Sequence, residues 1–233
     1  MNFEELFAPP VGHHGTLNSK LWEGNERLKS TVRGALLRIA EDFVKFLNVP
    51  LSVEDLVITG GNANYSYTPQ SDIDLHIIAD LSNVPCDREV AELMDTKRLL
   101  YKQLNRDLEI YGIPVELYVE DRAHPAVSSG CYSIKDGVWL RKPQPVPEYD
   151  KEAVEGKTLM WDKIIKQAIM TGDLATERTA MKLLKDYRRL GLTTPEGEFS
   201  VPNLVYKSLR NSDRVRALQN HIDIAHVKSL SVQ

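Results

Sequence analysis

Residues 56–78, LVITGGNANYSYTPQSDIDLHII, constrain this chain more than any other stretch. The apolar run Leu56-Val57-Ile58 reads as a buried strand and stops at the pair Gly60-Gly61. A polar connection follows, and the chain re-enters a strand as Asp72-Ile73-Asp74-Leu75-His76-Ile77-Ile78. Strand side chains alternate faces, so Ile73, Leu75 and Ile77 point one way and Asp72, Asp74 and His76 the other. Two carboxylates at that spacing stand side by side, and like charges so close need compensation. A divalent cation is the common solution. Oxygen-only ligands favour magnesium or manganese over zinc.

The flanking sequence alternates helical and strand patterns. Between residues 20 and 49, Leu28, Val32, Leu36, Ile39, Phe43 and Leu47 recur at helical steps, and Asn48 and Pro50 end the run. A second helical stripe, Val90, Leu93, Met94, Leu100, Tyr101, Leu104 and Leu108, is interrupted by Lys97, with Asp87 as its N-cap and Gly112 as its stop. Val115, Leu117 and Val119 then alternate with Glu116 and Tyr118, a half-buried strand. Asp136-Gly137 marks a hairpin between 131–134 and 138–140. Pro143, Pro145 and Pro147 separate this mixed region from one with helical patterns alone: 152–170, 174–190, a helix from Ser200 with Pro202 in its first turn, and one capped by Ser212. The expected division is 1–142 and 148–233.

Composition excludes several classes. The formal net charge of −4 gives no global attraction to nucleic acid, so any basic site is local. Cys86 and Cys131 have no CxxC spacing and read as structural thiols. Gly12-His13-His14-Gly15 has no second cluster and reads as a loop. No run is long enough to span a bilayer, and the acidic start MNFEELFAPP lacks the regions of a signal peptide, so a cytoplasmic location without membrane partners is expected.

Asp-x-Asp and Gly-Gly are each common alone; their joint spacing, each on its expected element, is not. The order strand, Gly60-Gly61, polar segment, Asp72-Ile73-Asp74-Leu75, long helix, then Val115-Glu116-Leu117 resembles the minimal core of the DNA polymerase β-like nucleotidyltransferase superfamily. The stretch 59–77 within it also resembles small nucleotidyltransferase-like proteins of tailed bacteriophages. The resemblance implies an α+β fold, a mixed sheet flanked by helices with a C-terminal helical domain. It implies a nucleoside triphosphate, ATP among the candidates, as substrate and two magnesium or manganese ions held by Asp72, Asp74 and Glu116. In-line displacement would pass a nucleoside monophosphate to an acceptor hydroxyl on an RNA end, a nucleotide, a small molecule or a protein.

On the phosphate side the resemblance implicates Gly60, Gly61, Asn62 and Ser71. Many members carry serine after the first glycine, where this chain has Gly61, and arginine shortly after, where it has Asn64. A hydroxyl contact would then come from Ser66 or Ser71. Added helical domains in the superfamily often supply lysine or arginine to the triphosphate, and Lys182 and Lys185, then Arg189, are the candidates here. Lys207, Arg210, Arg214 and Arg216 add to the basic residues beyond the prolines. Ser128, Ser129 and Tyr132 are candidates for base or ribose contacts, and Tyr65 and Tyr67 for base stacking. The competing function is a non-catalytic nucleotide-binding module, motivated by Gly61. A metal-dependent phosphoesterase lacks the extra histidines such sites carry.

Overall fold

The computed structural model describes residues 2–24, 26–82, 87–123 and 128–231; the side chains of Asp87, Arg88, Val90 and Ala91 lie outside the description. The Asp87 cap, the contribution of Val90 and the environment of Cys86 therefore fall outside the described residues. In chain order the elements are α1 (Phe3–Leu6), β1 (Trp22–Glu23), β2 (Arg27–Leu28), α2 (Ser30–Leu47), β3 (Ser52–Thr59), β4 (Ile73–Asp80), α3 (Asp87–Leu104), β5 (Glu109–Ile110), β6 (Ile113–Asp121), β7 (Cys131–Ser133), β8 (Val138–Arg141), α4 (Lys151–Thr171), α5 (Leu174–Leu192), α6 (Val201–Asn211) and α7 (Arg214–Leu230). They fall into two units, His13–Val146 and a second made of Met1–Gly12 with Pro147–Gln233.

The first unit is a mixed sheet flanked by helices. Its six strands run in the order β5-β6-β4-β3-β7-β8. β3 and β4 pair antiparallel, placing Thr59 opposite Asp74. β4 and β6 pair parallel, placing Asp74 opposite Glu116. A parallel pair needs a crossover, and α3 provides it. Ile73, Leu75 and Ile77 are fully buried and pack with Val115, Leu117 and the apolar faces of α2 and α3. The two strands therefore put their carboxylates on the opposite face.

Two local expectations are corrected here. The helix begins at Ser30, not near residue 20, because Trp22–Glu23 and Arg27–Leu28 pair as a small antiparallel hairpin, with Gly24 at φ +59°. Leu28 is buried from that hairpin, and its four-residue spacing to Val32 extends the helical stripe. Gly112 does not stop α3, which ends at Leu104; with Tyr111 it forms the β5–β6 turn, at φ +75° and +52°. Two consecutive positive φ values match a two-residue hairpin turn. Asn48 does cap α2, in the left-handed region at φ 49°. Lys97 interrupts the α3 stripe because its Nζ donates to the carbonyl of Leu47 at the end of α2. A cation there satisfies a free helix carbonyl and suits the helix dipole.

The second unit is a helical bundle with well-marked ends. Asp150 Oδ1 accepts from Ala153 N at 2.9 Å and caps α4; Asp173 Oδ2 accepts from Thr176 N at 2.8 Å and caps α5. Pro202 sits in the first turn of α6. Ser212 closes α6 instead of opening α7, whose N-cap is Asp213 at φ 61°. The N-terminal segment, which the sequence pattern attaches to the first domain, belongs to this bundle. Phe7 and Val11 are buried, Ala8 N donates to Ser212 Oγ (2.8 Å), and Asn211 Nδ2 donates to Pro9 O (2.9 Å). No helix among the described residues is long and apolar enough to cross a membrane.

Candidate active site

Three strand ends meet at one edge of the sheet: the end of β3, the start of β4 and the start of β6. Asp72 and Asp74 flank the first residue of β4, and Glu116 lies on β6 beside Asp74. One carboxylate oxygen from each of the three lies within 4.8 Å of the others, and all three residues are half-buried. Among the described residues they are the one such group of possible metal ligands. The donors are oxygens alone, carry a formal charge of about −3 and stand on a rigid sheet, which suits a hard divalent cation.

The turn after β3 is shaped around these carboxylates. Gly60 adopts φ 71° and ψ −162°, a region open to glycine. A Cβ there would meet Asp74 Oδ2 at 1.7 Å. A Cβ on Gly61 would lie 2.9 Å from Ser71 Oγ. The space for a side chain at position 61 is thus already bordered by the Ser71 hydroxyl, which accounts locally for glycine at that position. Ser71 Oγ accepts from Thr68 N at 2.9 Å. Ser66 is buried, so Ser71, half-buried, is the more accessible of the two hydroxyls.

Asn62 has a different place from the one expected of a nucleotide contact. It is 1% exposed, and its Nδ2 donates to the carbonyls of Ser71 (3.2 Å) and Asp72 (2.8 Å). Its Oδ1 accepts from Asn18 Nδ2 at 2.8 Å, and its carbonyl from Trp22 Nε1 at 2.7 Å. The side chain therefore fixes the backbone that carries Asp72. Asn64 does the same for the glycine turn, donating to Gly60 O at 2.7 Å and accepting from Ser129 Oγ at 2.9 Å.

Glu116 sits in a polar clamp. Tyr118 Oη donates to its Oε2 at 2.7 Å, and Lys102 Nζ to its Oε1. Burial pushes the Glu116 carboxyl up, but the hydrogen bonds from Lys102 and Tyr118 and the charges of Lys102 and Arg98 outweigh it and hold the group below the usual glutamate range. Burial, with Glu116 beside it, pushes the Tyr118 hydroxyl far above its ordinary value. The Arg98 guanidinium lies 5.2 Å from the centre of the Tyr118 ring. His76 continues the same face behind the carboxylates, stacked on Tyr118, with Nδ1 2.7 Å from Glu120 Oε1 and Nε2 2.9 Å from Thr59 Oγ1. This network stiffens the strands under the site.

The other candidates divide. Tyr132 is 1% exposed and packs edge-on against Trp22 and Trp139, a core position. Tyr65 packs against the core, and Tyr67 stacks on His14 at 3.8 Å between ring centres. The His13-His14 loop is tied down there, with His14 N donating to Tyr65 O at 3.1 Å. Ser128 O accepts from Arg141. Lys182, Lys185 and Arg189 share a groove in the helical unit. Sequence reasoning missed Tyr118 and Lys102. Tyr118 was within reach of it, since strand alternation sets it on the face of Glu116; Lys102 had no such signal.

Residues 37–137 match a family model described as "Nucleotidyltransferase domain". No curated protein matches the chain. A solved structure, the STING-associated CdnE c-di-GMP synthase from Capnocytophaga granulosa, aligns over 87% of this chain and 83% of its own, with 11% identity and a TM-score of 0.22. That score is too low to bear on fold or function.

Proposed function

We propose that this chain, whose residues 37–137 match a nucleotidyltransferase domain, transfers a nucleoside monophosphate from a nucleoside triphosphate to an acceptor hydroxyl. The acceptor oxygen forms a bond to the α-phosphorus, the bond from that phosphorus to the β-phosphate oxygen breaks, and pyrophosphate and a proton leave. The observation that carries this reading is the convergence of Asp72, Asp74 and Glu116 next to the Gly60-Gly61 turn.

Each residue has a distinct task in this reading. Asp72, Asp74 and Glu116 would together hold magnesium or manganese. When bound, two such ions supply Lewis acidity to the phosphate and acceptor oxygens. Glu116 is assigned to the cation because one of its carboxylate oxygens lies within 4.8 Å of oxygens of both aspartates. Gly60 and Gly61 let the chain approach the phosphates without side-chain obstruction. Ser71 Oγ, which accepts from Thr68 N and lies 3.4 Å from Thr68 Oγ1, is assigned to turn its proton to a phosphate oxygen when the nucleotide binds. Asn62 acts through Asp72 as a positioning residue. The non-catalytic reading loses its motive, because the position opened by Gly61 is bordered by a hydroxyl from Ser71.

The test is transfer of label from each α-labelled nucleoside triphosphate, with magnesium or manganese, onto RNA ends, nucleotides, small hydroxyl compounds and the protein itself. Incorporation should fall to background in the double variant Asp72→Asn, Asp74→Asn. Metal-dependent incorporation surviving in that variant overturns the mechanism.

A further inference from the structure

The helical unit contains a groove of about 650 Å³ whose rim is basic and whose floor is apolar. Arg178, Lys182, Lys185 and Arg189 follow one another on α5 at steps of four, three and four, so they share one face. The acidic residue among the lining is Asp186, already ion-paired with Arg189. Arg178, Lys182 and Lys185 are exposed and have no ion-pair partner among the described residues. Met181, Tyr206 and Ile222 form the buried floor. Arg188 lies 4.5 Å from the centre of the Tyr206 ring and is steadied by Nε donating to Asn203 Oδ1 at 3.1 Å.

We propose that this groove docks a single-stranded nucleic acid, by its phosphates on the α5 cations and by a base against the Arg188–Tyr206 pair. Length decides between a strand and a free triphosphate. From residue 178 to 189 the cations extend about 16 Å along the helix at 1.5 Å per residue. A triphosphate is compact and matches two neighbouring side chains, leaving the rest of the row unused. A strand presents its phosphates in series and uses the whole row. The guanidinium over an aromatic ring is a flat, cationic platform, which bases accept whatever their sequence. Charge argues against a duplex. The whole chain carries −4, while lysines and arginines outnumber acidic residues between 147 and 233, so attraction is confined to a narrow strip. Binding itself does not depend on transfer chemistry; the use of the groove to hold an acceptor strand rests on the function proposed above.

The experiment is fluorescence anisotropy of short, labelled, mixed-sequence RNA and DNA single strands with the full chain, in chelator, across a salt series. Three to four phosphate contacts give a log–log salt slope of about −2 to −3, at roughly 0.7 per contact on single strands. The double variant Lys182→Ala, Lys185→Ala should flatten that slope by about 1.4 and weaken binding about tenfold. The control Lys157→Ala, Lys163→Ala, exposed cations on α4 outside the groove, should bind like the parent. Circular dichroism melts establish that each variant is folded. The proposal is overturned by salt-independent binding or none, by an equal loss in the α4 control, or by inorganic triphosphate or poly-glutamate displacing the strand at matched charge. The variant Asp72→Asn, Asp74→Asn should bind the strand normally, so lost transfer with retained binding separates the two readings. Transfer without strand binding sinks this one alone.

Discussion

Gly60 and Asp74 compete for one volume: a Cβ on the glycine would stand 1.7 Å from Oδ2 of the aspartate. The backbone at Gly60, φ 71° and ψ −162°, already excludes other residues at a cost of about 1–3 kcal/mol. Backbone and side-chain space thus demand glycine independently. Gly60→Ala should keep the fold, lower the melting temperature by a few degrees, and abolish transfer by driving Asp74 from the cluster. Manganese binding followed by electron paramagnetic resonance is the direct check, and undiminished affinity would refute the account.

Gly61 and Ser71 form a second exclusive pair, with 2.9 Å between the place a Cβ on the glycine would take and the hydroxyl oxygen. Gly61→Ser alone should impair transfer, because two hydroxyls crowd one space. Adding Ser71→Ala should restore part of the activity by exchanging which position supplies the hydroxyl. The expected signature is a strongly non-additive double-mutant cycle in kcat/KM. Additive losses would mean that the two positions do not share a task.

Lys102→Met should raise the pKa of Glu116. Burial is the largest influence on that carboxyl and pushes it up; Lys102 and Tyr118 are what hold it down. Carboxylate chemical shifts in metal-free protein, followed through the acid range, should show a higher midpoint in the variant. Because the folded value is depressed, the group's stabilisation is present above the unfolded glutamate value, about 4.3, and is lost as pH falls through the folded value. Melting curves of parent and variant should therefore differ at neutral pH and converge in acid. A midpoint unchanged or lower in Lys102→Met would rule out the ion pair as the cause.

Tyr101 predicts an alkaline effect. Burial, and then the hydrogen bond its hydroxyl donates to Asp42 Oδ2 at 2.7 Å, hold its pKa well above the ordinary tyrosine range. A raised folded value means stability fully present below the unfolded pKa, about 10, and lost as pH climbs beyond it. Tyr101→Phe should cost about 1 kcal/mol at neutral pH and blunt the loss of stability above pH about 10. Parallel melting-temperature curves for parent and variant across that window would count against it.

The parts of this structure legible from sequence are those governed by local periodicity. Alternation in 72–78 and 115–119 placed the carboxylates on one face, and the Gly-Gly pair marked a turn with unusual backbone demands. Where two local patterns coincide, the reading fails: Leu28 sits at helical spacing from Val32 yet belongs to a hairpin. Gly112 signals positive φ equally for a helix stop and a hairpin turn, and only the pairing of Glu109 with Pro114 decides. Contacts between distant segments leave no periodic trace. Lys102 on Glu116, and Asn62 on the Asp72 carbonyl, became visible when the strands were paired.

The parallel register of β4 and β6, Asp74 opposite Glu116, has a consequence for how such a chain can change over time. The crossover leaves β4 at Asp80, the end of the strand away from the acid cluster, so insertions at that end leave the three carboxylates where they are. A slip of one residue in β6 turns Glu116 toward the core and brings Val115 or Leu117 to the cluster. Variation in length is cheap in the connection and forbidden in the strand, so divergence should accumulate in the crossover while the pairing stays fixed.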